Sequence, residues 1–101
     1  MEKSYRFHIG LHVDGGQNNQ LQVANRKSRA IEIAMASLIS GFTVTDTDGY
    51  FENNFEPGIV IESITELEPD YEYIANYMCK ELAQKCILVT ITMPEVHWIT
   101  L

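Results

Sequence analysis

The chain opens on an alternation. Over YRFHIGLHVD, residues 5–14, Tyr5, Phe7, Ile9, Leu11 and Val13 take every second position, with Arg6, His8, Gly10, His12 and Asp14 between them. A period of two sends successive side chains to opposite faces of a strand, so the stretch predicts β structure with one apolar and one polar face. The polar, Gly- and Asn-rich DGGQNNQLQVAN that follows reads as a loop. Then the period lengthens. Ala30, Ile31, Ala34, Met35, Leu38 and Ile39 form a helical stripe, while Arg29, Glu32 and Ser40 fall elsewhere. Asn25 suits the N-cap of this helix and Gly41 the position just past its end.

In GFTVTDTDGYF, Phe42 and Val44 alternate with Thr43 and Thr45 and run into Asp48-Gly49, the pattern of a strand entering a hairpin. The returning strand is IVIESITEL, residues 59–67, with Ile59 and Ile61 on one face and Val60, Glu62, Ile64 and Glu66 on the other. Apolar residues on both sides predict a bulge or a strand covered twice. A second helix fits EPDYEYIANYMCKELAQK. Pro69 suits its first position, and Asp70 and Glu72 its positive end, with Lys80 and Lys85 toward the negative end. Tyr71, Ile74, Ala75, Met78, Cys79 and Leu82 would face inward. The last strand, CILVTITM, puts Ile87, Val89, Ile91 and Met93 on one face and Leu88, Thr90 and Thr92 on the other. Pro94 ends it, and VHWITL reads as a short fifth C-terminal strand or an ordered tail.

The order β-α-β-β-α-β, with right-handed crossovers, predicts an α+β ferredoxin-like sandwich. It has a four-stranded antiparallel sheet with two helices on one face, as a single domain over residues 1–101. In that arrangement the odd residues of the first and last strands meet the helices. Arg6, His8, His12, Leu88, Thr90 and Thr92 share the open face.

A hydrophobic content of 46% in 101 residues is enough for one core without a metal or disulfide. Cys79 and Cys86 have neither CxxC spacing nor a nearby histidine, so they read as reduced thiols. MEKSYRF has no basic and apolar leader pattern, and no apolar run approaches the ~20 residues of a membrane span. A cytoplasmic location is the expectation. The net charge of −7 argues against nonspecific nucleic-acid binding. Yet residues 1–30 hold five cations against two acids, a net +3, while residues 31–101 hold two against twelve, a net −10. The few cations are gathered near the first strand and first helix, which suggests an anion site on an acidic body.

Candidate chemistry starts with the histidines. Four residues apart on a strand, His8 and His12 are separated by ~13 Å, too far to chelate one ion. No metal and no cofactor are expected. Acid–base work by either histidine is one reading. The other is anion binding, in which Gly15-Gly16 and the cations near the expected helix start receive a phosphate. The ligand-binding set is then Arg6, His8, His12, Arg26, Lys27 and Arg29. Tyr50, Phe51 and Phe55 around the hairpin, with Trp98 near the C-terminus, are expected at a protein interface.

GFTVTDTDGYF followed by GIVIES, through Gly41, Phe42, Thr43, Val44, Gly49, Tyr50, Glu62 and Ser63, resembles the PII/CutA-like group of small ferredoxin-fold proteins. The group includes uncharacterised bacterial and phage members. The resemblance spans the first strand to the third. It implies a closed homo-oligomer that binds nucleotides or other small ligands between subunits. A PII-type modification loop and the metal-binding residues of CutA are lacking, so neither specific activity carries over.

The function expected from the sequence is non-catalytic binding of a small anionic, nucleotide-like ligand, as a phage or bacterial nucleotide-signal sponge or sensor. One alternative is an acidic protein-binding inhibitor acting in anti-defence or as a nucleic-acid mimic. The other is a small histidine-dependent enzyme.

Overall fold

The computed structural model describes the backbone of residues 1–101 and every side chain except that of Phe51. Its elements run β1 (Lys3–Gly10), α1 (Gln20–Ser37), β2 (Thr43–Phe51), β3 (Asn54–Thr65), α2 (Tyr71–Leu82) and β4 (Leu88–Thr92). The four strands form one antiparallel sheet in the order β2-β3-β1-β4, the expected ferredoxin-like topology. Tyr5, Phe7 and Ile9 of β1 and Ile59 and Ile61 of β3 are buried with Ala30, Ile33, Ala34, Leu38, Ile74, Met78 and Leu82. The odd positions of the first strand therefore pack beneath the helices. Among the described residues, no helix is long and apolar enough to cross a membrane.

Several boundaries move. α1 begins at Gln20 because Asn19, not Asn25, caps it: the Asn19 side chain accepts from the Gln22 amide at 2.9 Å. The residues that composition marks as loop include Gln20, Leu21 and Gln22, which are good helix formers, and Val23 packs against the core. The buried stripe is Ala30, Ile33, Ala34 and Leu38, so Ile33 replaces Ile31, while Met35 and Ile39 face outward. The helix ends at Ser37, with Leu38 as C-cap. Gly41 instead serves the following turn, at φ +95°.

The hairpin turn falls at Glu52 and Asn53, not at Asp48-Gly49. Both turn residues have left-handed φ values, 50° and 65°, as a two-residue turn between twisted strands requires. Asp48 and Gly49 lie inside β2, registered with Pro57 and Glu56. The register of β3 against both neighbours is continuous, so there is no bulge. Val60 and Ile64 simply lie on the face away from the helices.

α2 keeps its expected inward stripe but is shorter than expected, because the cap falls at Asp70: Pro69 is not at the first helical position, and Lys85 lies past the C-terminal end. Asp70 caps it by accepting from the Tyr73 amide, Pro69 stands just outside, and Ala83 closes it in the left-handed conformation. β4 is shorter than CILVTITM, and residues 93–101 form no fifth strand. Ile91 and Met93 remain exposed.

Candidate functional site

With the helices covering one sheet face, strand register places Ser4, Arg6, His8 and Gly10 of β1 on the other. They lie beside Gly58, Val60, Glu62 and Ile64 of β3. Two glycines meet there. Gly10 is registered with Gly58, and Gly58 with Thr47 of β2, while Gly49 follows two residues along. Three neighbouring strands thus each lack a side chain at one end of the open face. The result is a trough of about 340 Å³ bordered by His8, Thr47, Glu56 and Val60. Its size lies at the lower end of the range for small-molecule sites.

The floor is close-fitted. A Cβ added at Gly58 would lie 2.8 Å from the Ile9 carbonyl oxygen and 2.9 Å from Thr47 Oγ1. A Cβ at Gly10 would run into the Glu56 carboxylate, which leans over that residue. Strand-interior glycines are the sequence signal for such a close approach, and these were the site positions that reading by charge passed over.

Around the trough the polar groups are anchored in different ways. His8 Nε2 lies 3.1 Å from Thr90 Oγ1, tying the imidazole to β4. Arg6 Nε donates to Glu62 Oε2 at 2.6 Å, and Ser4 Oγ donates to the same oxygen at 2.6 Å. The Ser4 hydroxyl, then the Arg6 guanidinium, holds the Glu62 carboxyl below its ordinary range against the opposing effect of burial. Because this pairing uses Nε, the two Nη groups of the half-exposed Arg6 are left for another acceptor. Arg6 lies two positions from His8, about 7 Å along the strand.

His12 stands beyond the end of β1. Its carbonyl accepts from Gln84 Nε2 at 2.7 Å, and it borders a second, more polar hollow of about 410 Å³ with Asp14, Asn18, Asn54 and Glu56. Glu56 borders both hollows.

The three cations of α1 do not join this group. With the helix starting at Gln20, they sit beyond its first turn, and each is engaged elsewhere. Arg26 donates through Nη1 to the Leu11 carbonyl at 2.7 Å and to Asn18 Oδ1 at 2.8 Å, and through Nη2 to the Gln17 carbonyl at 2.6 Å. It staples the β1–α1 loop. Lys27 pairs with Asp46 of β2 at 2.7 Å. Arg29 joins the two helices, bonding Glu32, Glu81 and the Tyr77 hydroxyl.

The expected interface aromatics are at the two ends of the molecule. Tyr50 and Phe55 are registered across the hairpin and exposed, with ring centroids 5.6 Å apart. Trp98 is exposed and donates through Nε1 to Glu2 at 2.9 Å. The side chain of Phe51 lies outside the described residues. Among those described, no group of three or more His, Cys, Asp or Glu gathers to hold a metal ion.

No family model and no curated protein matches the chain. Solved structures do. A phage SAM lyase in its apo state superposes with a TM-score of 0.62 at 16% identity, covering 89% of this chain and 78% of its own. A de novo designed protein superposes with a TM-score of 0.54 at 14% identity, covering 94% of this chain and 100% of its own. At these identities the likeness establishes a shared fold, the four-stranded antiparallel α+β sandwich.

Proposed function

We propose that this protein binds a small nucleoside-bearing ligand in the glycine-floored trough of the open sheet face. The observation that carries the reading is the trough itself. Gly49 and Gly58 carry no side chain on adjacent strands, the Glu56 carboxylate lies over Gly10 at one end, and the groups around the trough differ in charge. A flat ring fits a floor without side chains. An anionic group on the ligand would be met by the Arg6 Nη atoms, with His8 beside them, and a cationic or donor group by Glu56. The ligand is thus expected to carry both signs rather than to be a simple polyanion, because Arg26, Lys27 and Arg29 are engaged away from the trough.

S-adenosylmethionine (SAM) has this character, with an adenosine, a carboxylate, an ammonium and a sulfonium. The structural neighbour described as a phage SAM lyase supports trying it first. The resemblance to PII/CutA-like proteins supports a nucleoside ligand in general. A sequestering or sensing role follows from binding alone.

Isothermal titration of the full chain with SAM, adenosine, AMP and ATP tests the reading. SAM is expected to bind more tightly than ATP, and both Arg6→Ala and Glu56→Gln are expected to weaken it at least tenfold. Binding by none of the four, or equal affinity in both variants, would overturn it. Product analysis after incubation with SAM separates a binding protein, which returns the ligand intact, from a lyase.

A further inference from the structure

Gly10 ends β1 on the open face, and two side chains from distant parts of the chain meet above it. Glu56 Oε1 fills the space that a Cβ on Gly10 would need, and Gln84 Oε1 lies 3.4 Å from the same point. Gln84 is held at both ends. Its backbone N–H donates to the Cys79 carbonyl at 2.9 Å where α2 closes, and its side-chain Nε2 donates to the His12 carbonyl at 2.7 Å. A carbonyl can only accept, so this bond fixes which end of the amide faces His12 and leaves Oε1 toward Gly10.

Neither Oε1 accepts from a donor among the described residues, and Lys85, the cation next to Gln84, is paired with Asp14. Two acceptor oxygens, one of them on a carboxylate, therefore face one spot with no protein donor between them. An acceptor that a ligand shuts off from water without a donor costs free energy, so the spot favours a group that brings two donors.

We propose that Glu56 and Gln84 together receive the 2′,3′-diol of a ribose, which makes the site selective for ribonucleosides. The proposal rests on the nucleoside reading above and adds Gln84 to that site. Each hydroxyl has one proton to donate, so a vicinal diol supplies one hydrogen bond to each oxygen. An amino-acid ammonium on the ligand belongs elsewhere. Its carboxylate goes to Arg6 in that reading, four positions or ~13 Å along β1 from Gly10. The exocyclic amine of adenine brings ring-nitrogen acceptors against the same two oxygens. Glu56 borders both hollows, so a sugar beside it leaves the base over Gly49 and Gly58 in the trough.

Amide-shift titrations of the ¹⁵N-labelled full chain with adenosine, 2′-deoxyadenosine and 3′-deoxyadenosine test this, in the wild type, Gln84→Leu and Glu56→Gln. The wild type is expected to bind adenosine roughly tenfold or more tightly than either deoxy analogue. In both variants that preference is expected to shrink, whereas a merely structural defect weakens all the nucleosides alike. Equal binding of the nucleosides by the wild type, or a preference unchanged in either folded variant, overturns the proposal and leaves the trough reading standing. Failure of adenosine to bind also overturns it, and SAM titrated alongside shows whether the trough reading falls with it. Should circular dichroism show Gln84→Leu unfolded, Glu56→Gln decides.

Discussion

Arg6 and Glu62 are registered neighbours on the two central strands, and their side chains meet at 2.6 Å on the face that the helices leave open. Ser4 donates to the same carboxylate oxygen, so one acid on β3 accepts from two residues of β1. This orients a guanidinium on the open face, two positions along β1 from His8, and ties the strands together.

The pairing has a pH signature. Glu62 titrates below its ordinary value in the folded chain, so its contribution is fully present above the unfolded value. It is lost as pH falls through the lowered folded value. Glu62→Gln is expected to cost about 1 kcal/mol at neutral pH, a modest figure because Arg6 is half exposed. The gap between wild-type and variant melting temperatures should close as the pH drops through the carboxylate range. A gap that stays constant with pH contradicts this assignment.

Arg26 acts on the loop between β1 and α1. Its three bonds to Leu11, Gln17 and Asn18 use the planar fork of the guanidinium, which lysine cannot reproduce. Arg26→Lys is expected to destabilise the protein by roughly 1–2 kcal/mol and to speed amide exchange over residues 12–19. Unchanged exchange there would show that the loop is held by other contacts.

At the hairpin tip, Glu52 and Asn53 occupy left-handed backbone positions. Replacing the pair by Asn-Gly, which favours that turn, is expected to stabilise the chain by about 0.5–1 kcal/mol in denaturant unfolding. A loss of stability would place the turn elsewhere.

Gly58→Ala separates packing from chemistry. The added methyl would crowd the Ile9 carbonyl and Thr47 hydroxyl, so a cost of roughly 1–3 kcal/mol is expected together with loss of ligand binding. Gly10→Ala meets the flexible side-chain ends of Glu56 and Gln84 and should lower affinity with a smaller change in melting temperature. Equal effects of the two substitutions on stability would contradict the described floor.

Much of the fold was legible because burial enforces periodicity. Tyr5, Phe7 and Ile9 alternate since one face of β1 is dry, and Ile74, Met78 and Leu82 recur at helical spacing under the same constraint. Boundaries were less legible. Asp-Gly is a strong turn signal, yet register against Pro57 and Glu56 carries β2 through it to a turn without glycine. The site was read from charge, and charge misleads when side chains are long. Arg26, Lys27 and Arg29 are close in sequence, but successive helix positions point them at the loop, β2 and α2 in turn. The signal for the trough was instead an absence of side chains, at Gly10 and Gly58 within otherwise regular strands.

An NMR titration of the ¹⁵N-labelled chain with SAM tests the trough most directly. Shifts concentrated at the amides of Gly10, Thr47, Gly49, Gly58 and Val60 are the expected result. A spectrum that does not change, or shifts confined to residues 26–29 of α1, would contradict it.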